Sequence, residues 1–360
     1  MVETRTPHKL SARDREILKD VILTYILSAE PVSSRSVAKQ GRSGLSAATI
    51  RNVMADLEDA GYLVQPHTSA GRVPTRAAYH LFIESLMQVE RISARDRRYI
   101  DENLKGVPAD PEQLMGATSH LLSELSHQVG LVVTPQLGDT VLKAVDFVPL
   151  DGRRVLCVVI SADGFLDNKV IETEEGVTRE DLKRSANYLT ENFSGLTLRE
   201  IRDRLLRMMA DERAQMDRLL ALTIDLARSG LDVDVGPEVL VDGTSSLLAQ
   251  PELTDIQRVR RLFDTFADRA RLVKMLNQCI QGQGMRVLIG DDSDLTSALD
   301  FSLVATAYGI GGRTLGTLGI FGPSRMEYQK VIPLVHYLGE TLSRALAAGF
   351  GDSARDSKRN

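Results

Sequence analysis

The chain has 360 residues, too many for one ordinary hydrophobic core, so two or three domains are expected. Apolar residues make up 43% and charged residues 26%, as in globular proteins, and no apolar run approaches the roughly 18 residues of a membrane span. The two cysteines, Cys157 and Cys279, are far apart, which argues against a disulfide framework or a zinc ribbon. The polar N-terminus has no apolar segment behind it, so no secretory signal and a reducing, cytoplasmic setting are expected. The net charge of −5 is unevenly spread. Residues 1–105 hold 16 Lys and Arg against 13 Asp and Glu, and the remainder holds 28 against 36. A mildly basic head on an acidic body permits a nucleic-acid partner without requiring one.

In chain order, Ile17, Leu18, Val21, Ile22, Tyr25 and Ile26 recur at helical spacing and predict a helix over 12–28, stopped by Pro31. Ser33 and Ser34 can cap a short second helix to about Lys39. Ser46 can cap a third over 47–60, closed by Gly61 where a left-handed residue is wanted. Residues 62–65 and 72–74 read as short strands around a loop, and a fourth helix starts near Thr75. Three helices, a hairpin and a further helix make a winged helix-turn-helix. The charged run 91–108 reads as a linker ending in Gly106-Val107-Pro108. Beyond it, helices are expected at 114–129, 178–192, 197–228, 253–278 and 325–347. Strands are expected at 141–148, 155–160, 165–171, 238–248, 285–290, 301–308 and 314–321.

On the third helix Ile50, Val53, Met54 and Leu57 fall on one stripe that can pack against the first helix. Ala48, Asn52 and Ala55 point the other way, with Thr49 and Arg51 on the flanks. Small residues let such a face sink into the major groove, and Arg and Asn bond guanine and adenine edges in pairs. Asp56, Glu58 and Asp59 would repel phosphates, so only the first two turns should enter. An amphipathic helix with a solvated face explains the same pattern. The hairpin loop tips the balance: His67, Thr68, Ser69 and Arg72 offer short donors and one cation, suited to phosphates or a minor groove. Ser33, Ser34 and Arg35 would add phosphate contacts.

Three runs are informative together: Glu30-Pro31-Val32-Ser33-Ser34-Arg35, Leu45 to Glu58 (LSAATIRNVMADLE), and Gly61 to Thr75 (GYLVQPHTSAGRVPT). With Phe321-Gly322-Pro323-Ser324-Arg325-Met326-Glu327-Tyr328 they closely resemble the HrcA family of heat-inducible transcription repressors over nearly the whole chain. Departures are small: Ser33 stands where the family usually has Gly, and residues 76–79 differ from its usual opening of the fourth helix. The resemblance implies a repressor of chaperone operons that binds double-stranded DNA as a homodimer, at an inverted repeat named CIRCE. It also implies that the chaperonin GroEL keeps the repressor active, and that the body is a GAF-like domain interrupted by an inserted dimerisation domain.

The expected architecture is thus α+β and multidomain: a winged-helix head with its linker over 1–105, and a GAF-like domain from 106–139 and 236–350. An inserted dimerisation domain over 140–235 and a disordered polar tail at 351–360 complete it. An insert at 175–275 remains open. The apolar positions of 197–228, among them Leu198, Ile201, Leu205, Met208, Met216, Leu219 and Ile224, suit core packing or a dimer interface. Gly309 to Gly316 has the wrong spacing for a dinucleotide loop and reads as a hairpin turn. Asp291-Asp292-Ser293-Asp294 lacks the Gly and distant Glu of a calcium loop. The six histidines form no metal-ligand spacing, and no nucleophile–base constellation is visible, so neither a cofactor nor an enzymatic activity is expected. Two alternatives remain: a regulator whose GAF-like body senses a small effector, and a GAF-type enzyme with a nucleic-acid tether.

Overall fold

Burial of the stripe Ile50, Val53, Met54 and Leu57 against Ile17, Leu18, Val21 and Ile22 organises the N-terminal elements. The computed structural model describes residues 10–40, 44–68, 70–88, 90–107, 111–134, 140–151, 153–162, 166–173, 177–209, 218–230, 239–248, 285–290, 301–311 and 313–356. It also describes the single positions 250, 257, 260, 264, 266, 272, 273, 275 and 276. Helix α1 (Ala12–Ser28) opens with a capping box: Ser11 Oγ accepts from the Asp14 amide at 3.2 Å, and the Asp14 carboxylate accepts from the Ser11 amide at 3.0 Å. Helices α2 (Ser34–Gln40) and α3 (Ala47–Asp59) follow. Gly61, at φ +80, closes α3; its amide donates to the Glu58 carbonyl and the Tyr62 amide to the Leu57 carbonyl. That double bond needs a left-handed residue, which glycine supplies without strain. Strands β1 (Leu63–Val64) and β2 (Val73–Pro74) pair antiparallel. Helix α4 (Arg76–Leu81) runs into a single π-helical turn, Phe82–Leu86, which periodicity does not predict.

The expected linker is in large part a helix. Ser93 caps α5 (Ala94–Lys105), which buries Ile100 and Leu104 one turn apart. The charges that suggested a linker are its solvated face. Tyr99 donates to Glu124 at 2.9 Å, and Tyr337 donates to Asp101 at 2.9 Å. Helix α6 (Pro111–Ser126) ends earlier than expected, because Val129–Val133 leave it to form strand β3, buried at every position. A segment apolar at all positions carries no period, so a helix and a central strand read alike.

Strand β3 sits within an antiparallel sheet of order β7-β3-β10-β9-β8, where β7 is Val239–Asp242, β8 Arg286–Ile289, β9 Phe301–Ile310 and β10 Arg313–Pro323. The pair Val133↔Val239 brings the chain back beside itself after an excursion of more than a hundred residues. Gly309 to Gly316 forms the β9–β10 hairpin, with Gly311 at φ +59. Tyr308 lies in the core; burial pushes its hydroxyl well up, so it stays protonated and donates to the Val133 carbonyl at 2.6 Å. A short helix α10 (Thr244–Leu248) follows β7, so the strand expected over 238–248 stops at Asp242. Helix α11 spans Tyr328–Asp356 and continues six residues past the point where a disordered tail was expected. No proline interrupts that end, and polar residues do not by themselves stop a helix. The described positions between 257 and 276 are helical, as expected for 253–278, whereas the aspartates 291–294 lie outside the described residues.

The chain divides into two compact units, Met1–Val133 with Val239–Arg344, and Thr134–Glu238 with Ala345–Asn360. In the second, β4 (Leu142–Asp151), β5 (Arg154–Ser161) and β6 (Leu166–Glu172) form an antiparallel sheet in that order. One face, with Val145, Phe147, Val155, Cys157, Val159 and Ile171, packs under α7 (Arg179–Phe193), α8 (Leu198–Met209) and α9 (Arg218–Gly230). Leu198, Ile201, Leu205 and Ile224 belong to this core, which decides their role in favour of packing. Among the described residues no helix is long and apolar enough to cross a membrane.

If α5 is a packed element, Ile100→Ala should lower the unfolding free energy by about 2–5 kcal/mol. Arg98→Ala, on its exposed face, should change it by less than about 0.5 kcal/mol. Urea unfolding of the two variants measures the difference, and equal effects would return this segment to a linker.

Candidate nucleic-acid interface

The exposed side of α3 is set by its buried side. With Ile50, Val53, Met54 and Leu57 inward, Ala48, Arg51 and Asn52 are exposed, and Thr49 and Ala55 are half-buried at the edges. Ser46 caps the helix: its Oγ accepts from the Thr49 amide at 3.2 Å and lies 2.9 Å from Thr49 Oγ1. These two hydroxyls are therefore committed to the helix start before any ligand arrives. The N-terminal amides of α3, carrying the positive end of its dipole, face outward beside them.

The start of α2 is similar. Ser33 Oγ accepts from the Ser36 amide at 3.1 Å and caps the helix, while Ser34 is half-buried and Arg35 exposed.

The hairpin is braced from three directions. Val32 and Arg72 exchange both backbone hydrogen bonds at 2.9 Å, so the residue before α2 becomes a third strand position beside β2. Gln65 Nε2 donates to the Thr68 and Ala70 carbonyls, at 3.1 and 2.9 Å, and closes the loop from inside. Thr75 Oγ1 reaches the Gly61 carbonyl at 2.7 Å. His67 and Thr68 at the tip are exposed; Ser69 lies outside the described residues.

Arg72 departs most from its expected role. Its Nε and Nη2 both lie 2.8 Å from Glu58 Oε2, and its side chain is largely buried. Held this way, the guanidinium first ties the hairpin to the end of α3. It also neutralises one of the three acids that would repel a phosphate backbone. Residues 58 and 72 are fourteen apart with a turn between, and no local pattern marks such a pair; nor does one mark Gln65 or the Val32 strand position.

Residues 112–332 match the model of the HrcA protein C-terminal domain. The heat-inducible transcription repressor HrcA of Geobacter sulfurreducens is 41% identical over 337 residues, covering 94% of this chain and 98% of that protein. The repressor of the same name from Xylella fastidiosa is 39% identical, covering 94% and 96%. The chain belongs to the HrcA family. A crystal structure described only as that of a hypothetical protein has the same fold, with a TM-score of 0.66 and 24% identity, covering 95% of this chain and all of that one. The HrcA model spans the body, and the full-length relatives carry the likeness into the head.

In this HrcA chain Gly71 is a pressure point. A Cβ placed there would meet the Val32 and Pro31 carbonyl oxygens at 2.5 and 2.6 Å. Gly71→Ala should therefore break the Val32–Arg72 pairing and destabilise the head by about 1–3 kcal/mol. Amide hydrogen exchange at Val32 and Arg72 would accelerate while exchange in α1 changes less, and unaltered protection at both amides would contradict the account.

Proposed function

We propose that this heat-inducible transcription repressor reads operator DNA with a winged-helix head whose recognition element is the N-terminal half of α3. The observation that carries the reading is the exposed trio Ala48, Arg51 and Asn52, opposite the buried stripe and ahead of the acids. Arg51 and Asn52 read base edges; Ser46 and Thr49, at the helix start, lie beside a phosphate. Ser33, Ser34 and Arg35 at the start of α2, with His67, Thr68 and Ser69 of the wing, hold the flanking backbone. Arg72 contributes by fixing the wing and quenching Glu58.

The body that carries this head is, in our reading, GAF-like, built around the β7-β3-β10-β9-β8 sheet, with the 134–238 unit inserted between β3 and β7. One head covers one half-site, and a single module of this size buries too little surface for tight, specific binding. The inserted unit is therefore assigned the role of joining two copies. The outer side of its sheet supports this: Val148, Leu156 and Val170 are cross-strand neighbours in one row, Val148 and Val170 are exposed, and so is Leu150. The operator is then an inverted repeat of the CIRCE type. The chaperonin GroEL enters the same reading as the factor that maintains the active dimer. Operator occupancy before heating, after heating, and after chaperonin with ATP tests its part. Spontaneous full recovery on cooling would remove it.

Footprinting upstream of the chaperonin genes of the source genome tests the function directly, with protection of an inverted repeat expected. Arg51→Ala and Asn52→Ala should each cost about 1–3 kcal/mol on that operator and little on scrambled DNA. Competition binding on both DNAs measures this, and equal losses on the two would reject α3 as the reader. For the dimer, Val170→Glu places a charge in the apolar row and should yield monomers in sedimentation, with loss of palindrome protection. A monomeric wild type that still protects the palindrome would overturn the two-fold reading.

A further inference from the structure

The motif Phe321 to Tyr328 takes no part in the reading surface, yet it touches the head at the point that carries α3. It leaves β10, turns at Ser324 and Arg325, and enters α11. The turn is rigid. Ser324, Met326 and Tyr328 are buried, and the Tyr328 hydroxyl lies 2.8 Å from the Ser324 carbonyl and 2.9 Å from Ser302 Oγ of β9.

Two side chains extend from this turn to the head. Arg325 directs Nη1 to the Ile26 carbonyl at 3.4 Å, while its Nη2 donates to Gln250 Oε1 at 2.9 Å. Ile26 lies in the last turn of α1, where carbonyls lack helical partners and a cation is favoured. That turn carries no basic residue of its own. A guanidinium from the body supplies the missing charge. The Tyr328 ring packs on that of Tyr79 from α4, with centroids 6.1 Å apart and planes at 57°. A third close approach lies at Gly290, where a Cβ would come within 3.0 Å of Arg76 Cδ at the start of α4.

Between Leu86 and Ser93 the described chain forms no helix or strand. A connection of that kind leaves a head free to swivel. The three contacts remove that freedom, and they act on α1 and α4, the helices that support α3 and the wing. The junction is incompletely packed: a cavity of about 430 Å³ lies beside Ile26, Arg325 and Lys330, and one of about 290 Å³ beside Leu23, Phe82 and Tyr328.

We infer that Arg325 and Tyr328 form a latch through which the body holds the reading head in one orientation, making them positioning residues for two-site operator binding. The inference rests on the dimeric reading above. Two heads held in one orientation bind a repeat of one spacing as a single event, because the second contact is made at a high effective concentration. Unlatched heads still bind, but separately, and the spacing ceases to matter.

The experiment uses the full-length protein and three duplexes: the natural operator, the same repeat with its half-sites moved by about 5 base pairs, half a helical turn, and a single half-site. Wild type should prefer the natural spacing to the shifted one by about tenfold or more. Arg325→Ala should lose about that factor on the natural operator, bind both spacings alike, and match wild type on the half-site. Tyr79→Leu, which removes the ring contact from the head side, should behave in the same way. Arg325→Lys, which keeps the cation, should recover part of the spacing preference. Retention of the full preference by Arg325→Ala and Tyr79→Leu would overturn the latch while leaving the dimer intact. Loss of half-site binding in both variants would also overturn it, by assigning the contacts to the stability of the head. A wild type that binds the single half-site as tightly as the natural operator would remove the dimeric reading, and the latch with it.

Discussion

The packing of α3 on α1 is the contact on which the head depends. Four apolar side chains of α3 leave water together, and the helix has then no rotational freedom left. Which residues face outward follows from that burial and not from any preference of their own. The hairpin is fastened to the same unit by backbone pairing with Val32 and by the Glu58–Arg72 ion pair. The surface proposed to read DNA is therefore held as one unit, in which polar side chains at the edges are largely occupied with holding it. Ser33, Ser46, Gln65, Arg72 and Thr75 bond within the head. Arg35, Arg51, Asn52, His67 and Thr68 are exposed. That division of labour is what preorganisation requires: contacts with DNA gain little if the groups that make them must first be ordered.

The body solves a different problem, that of accommodating an insertion without losing its sheet. Strands β3 and β7 are neighbours in space although the 134–238 unit separates them in sequence. A departure and return at adjacent positions on one sheet costs the parent fold almost nothing, since every ladder bond is still made. The inserted unit can then carry its own core, with three strands under α7, α8 and α9. Its outer sheet face exposes Val148, Leu150 and Val170, side chains that a solvent-facing sheet would ordinarily replace with polar ones. The N-terminal head and the inserted unit thus have separate cores, and mutations in one need not disturb the other.

Much of the head was legible in the sequence because its signals are local. A capping serine, a four-residue apolar stripe and a closing glycine all act within one or two turns of the helix they define. The boundaries of α1 and α3, and the exposure of Ala48 and Asn52, follow from those signals alone, whereas Arg51, expected on the flank, is exposed and Ala55, expected outward, is half-buried. The β4–β5–β6 meander was equally plain, since alternation and turn residues mark each strand. Only the tertiary structure could decide the rest. Val129 to Val133 had no period to distinguish strand from helix until β10 and β7 flanked them. The charged run at 94–105 became a helix because Ile100 and Leu104 found a surface to cover, a fact that resides in the surface and not in the run. The Glu58–Arg72 pair and the reach of Arg325 to Ile26 join residues 14 and 299 positions apart. For the first three helices and the β4–β5–β6 meander, local chemistry settled which elements form. Contacts between distant segments settled which cations remain available and what holds the head in place, because such contacts exist only once the chain has folded.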